Sequence, residues 1–157
     1  MIELANPTRF MALSERLMPW LWAIAAFVCA IGLFLAFRAP ADYQQGDAFR
    51  IIYVHVPSAW LSLLVYTTMA VAGGVALIWR MKLAELFVVA AAPIGAAFTA
   101  LALVTGMLWG EPMWGTYWVW DARLTSELVL LFLYLGVIAL NGAFEDPRRG
   151  ARAAAVL

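Results

Sequence analysis

The sequence predicts an all-α fold, a polytopic membrane helix bundle with four transmembrane helices. Three observations carry this. The residues Ala, Val, Ile, Leu, Met, Phe, Trp, Tyr and Cys make up 66% of the 157 residues, against roughly 45–50% apolar in a soluble domain. Charged residues are 13%, and mean hydropathy is +0.87. The apolar residues also gather into four runs of about 20, the length a helix needs to cross the bilayer core. A soluble globule of this size has no interior large enough to hide so much apolar surface. A soluble enzyme, a disordered tail and a secreted disulfide domain are therefore excluded. Lys+Arg and Asp+Glu are both 10, so no net charge draws the chain toward nucleic acid. Cys29 is alone, which rules out an internal disulfide or a cysteine metal cluster.

The single membrane domain, 1–157, is read span by span. Residues 18–37 are twenty without a charge. This run is too long for a signal peptide, and no small-residue cleavage site follows it. The second span covers about 58–79. The third covers 86–108, broken only by Pro93 and Gly95, which predict a kink. The fourth covers about 124–144, with Glu127 in its first turn. Basic residues set the orientation. With the N-terminus inside, Arg9, Arg16, Arg80, Lys82, Arg148, Arg149 and Arg152 fall on the cytoplasmic side, and Arg38, Arg50 and Arg123 on the other. That imbalance predicts N-in and C-in. The inside connector 80–85 is bare. The outside segments 38–57 and 109–123 are long and rich in aromatics, and long loops on one side are where function concentrates.

The second outside segment forms a Trp-rich loop. It holds Trp109, Trp114, Trp118 and Trp120, four of the chain's eight tryptophans. Tryptophan collects at membrane interfaces, and Trp20, Trp22, Trp60 and Trp79 fit that pattern. Four on one loop, with Gly110 and Gly115 between them to allow tight turns, also fit an apolar platform on which a planar ligand stacks. Asp121 has two readings: the N-cap of the fourth helix, or part of a polar stretch with Arg123, Thr125 and Ser126 that orients a ligand. Arg123 suits a carboxylate, and it stands four residues before Glu127, with which it can pair.

His55 is the only histidine. Phe49, Ile52, Tyr53 and Val56 recur around it at helical spacing, so the segment reads as an amphipathic helix lying along the interface. On that reading His55 is an ordinary interface residue. On the other it is a metal ligand on the side of the Trp cluster, where neutral imidazole suits heme iron and Arg50 suits a propionate. There is no phosphate loop, His-Glu-x-x-His or nucleophile elbow. A transported ion would leave ionisable groups in the spans, and only Glu127 comes close.

The run Trp114-Gly-Thr-Tyr-Trp-Val-Trp-Asp121 matches the WGxxWxWD signature of the heme-handling membrane proteins of cytochrome c maturation. The continuation through Ser126 and the earlier Tyr53-Val-His-Val-Pro57 resemble the CcmC branch. The resemblance runs through nearly the whole chain. It implies a non-enzymatic protein of the bacterial inner membrane that holds heme b at the periplasmic face and presents it to the heme chaperone CcmE. It also implies work beside an ABC-type transporter pair and a small single-span subunit, within membrane lipid and without nucleic acid. By it, His55 is an axial ligand of the heme iron, and Trp114, Trp118, Trp120 and Asp121 belong to the heme- and chaperone-facing platform. Arg50 and Arg123 are expected near the propionates. Family members have six spans and a second axial histidine after the fifth. This sequence has no second histidine and stops where a fifth span is expected, so a C-terminally truncated chain with weak, exchangeable, five-coordinate heme is expected. Two other classes stand beside this one: a cofactor-free docking or assembly subunit, and a transporter subunit that moves heme or another small molecule.

Overall fold

The computed structural model describes residues 6–157. They form five α-helices in the order α1 (Pro7–Arg38), α2 (Ile52–Trp79), α3 (Lys82–Trp114), α4 (Ala122–Gly142) and α5 (Pro147–Ala154), with a 3-10 turn Asp47–Ile51 before α2. Four helical segments are long and apolar enough to cross a membrane: Pro7–Arg38, Asp47–Trp79, Lys82–Trp114 and Ala122–Gly142. The chain divides into two units, one holding α1 and the other Ala41–Leu157.

In the first unit, Asn6 starts α1 by accepting a hydrogen bond from the Thr8 N–H at 3.0 Å. The helix stops at Arg38, two residues before Pro40, whose ring disfavours helix in its predecessor. Helix α1 therefore begins eleven residues before the apolar run at 18–37 and carries Arg9, Glu15 and Arg16 on its first turns. None of its described residues is buried within the structure.

In the second unit, helices α2 and α3 bury mostly small residues, as helices do where lipid supplies no hydrophobic drive, while α4 buries Leu130, Tyr134 and Val137. Met69, Val88, Ala91, Ala92, Leu130, Tyr134, Val137 and Ala154 form its core. Tyr134 is fully buried. Its hydroxyl donates to the Ser62 carbonyl at 2.6 Å, and its ring stands edge-on to Tyr66 at 5.5 Å. Gly95 makes that ring possible, because any Cβ there would run into it. Helix α3 runs unbroken through Pro93, and Gly95 beside it is the landing site for the Tyr134 ring.

Three sequence expectations change. The segment around His55 is no separate interfacial helix; it is the first turn of α2. Half of the outside segment 109–123 is helical, since α3 runs to Trp114 and ends only at Gly115, in the left-handed region at φ 72°. That leaves a short loop of 115–121. The connector between α2 and α3 shrinks to Arg80 and Met81, with Arg80 also left-handed at φ 53°. At this end of the unit, α5 packs against α3 and α4, and Arg152 donates to the buried carboxylate of Glu85 at 3.2 Å.

Candidate functional site

At the opposite end, the start of α2 meets the end of α3 and the start of α4 around a cavity of about 310 Å³. His55 reaches it from α2. Ala102, Leu103, Gly106, Trp109 and Trp114 line it from α3, and Asp121, Arg123, Leu124, Ser126 and Glu127 from the loop and α4. The volume lies at the lower end of small-ligand pockets, roughly 300–1,000 Å³.

The imidazole is held in one orientation. His55 Nδ1 lies 3.0 Å from the Ala102 carbonyl oxygen and 3.1 Å from Thr105 Oγ1. The carbonyl can only accept. Thr105 donates its own proton to the Leu101 carbonyl at 2.6 Å and so accepts as well. Nδ1 therefore carries the proton, and in the neutral ring Nε2 presents a lone pair. This is how metal-binding histidines are usually prepared, with one nitrogen anchored on a carbonyl and the other free. Gly106 gives the ring its space, since a Cβ there would sit 3.1 Å from His55 Cε1.

The indoles are arranged by similar close fits. Gly110 is not a turn residue: it is buried in α3, and Trp114 lies over it so that a Cβ would meet the ring at 3.2 Å. Trp109 and Trp114 stand edge-to-face at 5.2 Å. The Arg123 guanidinium lies 5.3 Å above Trp114. Its Nη2 and Nε donate to one oxygen of Asp121 at 2.8 and 3.1 Å. Arg123 thus pairs with Asp121 and not with Glu127, and its other Nη makes no hydrogen bond among the described residues. Asp121 is also the N-cap of α4, its Oδ1 accepting from the Leu124 N–H at 2.9 Å. That N–H and the Arg123 side chain hold the Asp121 carboxyl below the ordinary value of 3.8.

A carboxyl whose value is lowered by folding stabilises the fold above its unfolded value and loses that contribution as pH falls through the folded one. The thermal unfolding midpoint in detergent is therefore expected to fall as pH drops below about 3.8. Asp121→Asn is expected to flatten that part of the profile, and an unchanged profile would contradict the cap's role.

A family model described as heme exporter protein C (CcmC) matches residues 1–157. The chain belongs to the CcmC family. Heme exporter protein C of Bradyrhizobium diazoefficiens is 59% identical over the whole chain, which covers 60% of that protein. The Escherichia coli K12 protein of the same name is 57% identical over 99% of the chain and 64% of its own length. A putative cytochrome c biosynthesis ccmC-like mitochondrial protein of Marchantia polymorpha is 50% identical over 92% of the chain and 64% of its length. The chain thus spans less than two thirds of these CcmC relatives.

Of the residues singled out in the sequence, His55, Trp114, Asp121 and Arg123 share the cavity of this CcmC chain. Trp118, Trp120 and Arg50 do not line it. Trp118 and Trp120 pair edge-to-face at 5.2 Å on the loop. Trp120 is 75% exposed, and Trp118 Nε1 is buried with no hydrogen-bond partner among the described residues. Arg50 bonds to Asp47 at 3.0 Å, one turn back in its own segment. Trp109 and Glu127 also line the cavity, though neither was a site candidate. Trp109 belongs to the same cluster, but its place on α3 is what aims it inward. Glu127 accepts from Ser62 Oγ at 2.7 Å on the cavity wall, and an ionisable group inside a span was the available signal.

The site's donor set suits a heme, of which a cavity of about 310 Å³ encloses only part. It offers one bare imidazole nitrogen, apolar side chains from three helix ends, two indoles and a guanidinium with donors to spare. Of the residues that line it, His55 is the one imidazole. Bound there, the iron would take its ligand from His55 Nε2, and Arg123 would meet a propionate.

Proposed function

We propose that this chain holds heme b at the outer, periplasmic face of the bacterial inner membrane and presents it to the heme chaperone CcmE during c-type cytochrome maturation. The observation that carries this reading is His55, whose Nδ1 is tied to the Ala102 carbonyl while its Nε2 is left for a metal beside an indole-walled cavity that Arg123 also lines. The names of the relatives, heme exporter protein C, point to the same cargo. The chain performs no chemistry of its own on the cargo; it binds, orients and releases it. Its partners in this reading are the chaperone, an ABC-type transporter pair, a small single-span subunit and the surrounding lipid.

The cavity and the loop divide the work. His55 and Arg123 hold the heme. Trp120 and Tyr117, exposed by 75% and 54%, offer the aromatic surface that protein partners favour. Apo-chaperone mixed with the detergent-purified chain is expected to be captured only when ferric heme has been added, and less well by Trp120→Ala. Equal capture without heme would overturn presentation and leave a docking subunit.

A further inference from the structure

The first outer segment, 41–46, is not a passive connector. Asp42 and Gly46 exchange both backbone hydrogen bonds, Asp42 N–H to Gly46 O at 3.1 Å and Gly46 N–H to Asp42 O at 2.9 Å. The Asp42 carboxylate accepts from the N–H groups of Gln44 and Gln45 at 2.9 and 2.8 Å. Gly46 closes the turn at φ 59°, a conformation that suits glycine. Five residues are fixed in this way, and the side chain they present is Gln45.

Gln45 Oε1 accepts a hydrogen bond from Trp109 Nε1 at 3.0 Å. An indole nitrogen only donates, so the amide must turn its oxygen inward. Trp109 is the edge partner of Trp114, Trp114 lies under Arg123, and Arg123 is held by Asp121. A continuous line of contacts thus leads from the first outer loop to the cation at the cavity mouth. Without Gln45, the half-buried Trp109 N–H would lose its acceptor, and an unpaired buried donor favours a different ring position.

We propose that Gln45 is a positioning residue for the cavity mouth: it fixes the Trp109–Trp114 pair and so aims Arg123 at a carboxylate of the bound ligand. This rests on the heme reading above for the ligand, though not for the frame. Three variants test it. Gln45→Met keeps length and removes the acceptor. Gln45→Glu keeps an acceptor. Arg123→Gln removes the cation.

The probes are ferric heme and its dimethyl ester, in which both carboxylates are blocked, titrated into the full chain in detergent. The chain is expected to prefer heme over the diester by roughly tenfold, the scale of a charge-assisted hydrogen bond. Gln45→Met is expected to bring that ratio close to one, and to add nothing in the Arg123→Gln background. In 15N-tryptophan spectra, with Trp109 assigned through Trp109→Phe, its indole resonance should move in Gln45→Met and stay near its place in Gln45→Glu. Helical content should be unchanged. A Gln45→Met protein that keeps the preference overturns the proposal, as does an unmoved Trp109 resonance. If the unaltered chain binds neither probe, the heme reading falls and Gln45 loses the ligand it would serve, while the indole resonance still decides whether the frame depends on it.

Discussion

His55→Ala is expected to abolish the heme Soret band at concentrations that saturate the unaltered chain. Removing only a hydrogen-bond partner of a metal-binding histidine typically costs about 10–100-fold in affinity. Removing the ligand itself should cost more than that, because no other histidine is present to replace it. The vacated space then provides a second, sharper expectation. With the side chain cut back to Cβ, free imidazole can enter beside Gly106 and meet the same acceptors, Ala102 O and Thr105 Oγ1. Millimolar imidazole should therefore restore heme to His55→Ala, and should restore it less well when Gly106 also carries a side chain. Heme held equally by the variant without imidazole would move the binding onto the indoles and reduce His55 to an interface residue.

Much of this site could be read before any coordinates. The fold class follows from composition, since no soluble core hides a chain that is 66% apolar. His55 stands out because it is the only histidine. Asp121 closes the tryptophan signature, and Arg123 follows two residues later. What the sequence could not supply is which helix end each residue faces. Arg50 and Arg123 look alike in the sequence, as outer-side arginines near aromatics. Only the fold shows Arg50 bonded to Asp47 within its own turn and Arg123 at the cavity mouth. The i, i+4 rule paired Arg123 with Glu127, but the N-cap geometry of α4 brings Asp121 closer, and Ser62 of α2 takes Glu127. Likewise Trp118 and Trp114 share one motif. The left-handed turn at Gly115 sends them apart, one onto the cavity and the other onto the loop. These are tertiary choices, and a motif written along one dimension does not contain them.

Gly106→Val is the second large effect expected. The glycine is buried, and its nearest neighbours beyond its own helix are His55 Cε1 at 3.1 Å and Leu124 Cδ2 at 3.7 Å from where a Cβ would stand. Extra carbon in a packed site costs roughly 1–3 kcal/mol. Both neighbours border the cavity, and the imidazole is the nearer of the two and meets the added carbon first. The added methyl groups should therefore swing His55 away from the Ala102 carbonyl and intrude on the ligand's space. The expected outcome is a fall of about tenfold to a hundredfold in heme affinity with the helices intact. Gly106→Ala should fall between this variant and the unaltered chain. A normal heme titration for Gly106→Val would contradict the close fit of ring and glycine on which the cavity depends.

The most direct test of the central claim, that His55 Nε2 ligates the iron, uses the chain's single histidine as its own label. The protein is prepared with 15N-histidine as the only labelled residue, loaded with ferric heme in detergent under monomeric conditions, and examined by pulsed electron paramagnetic resonance. The account predicts a 15N coupling of directly bound strength from one imidazole, on a five-coordinate, high-spin iron. A saturated heme spectrum with no histidine 15N coupling would contradict it.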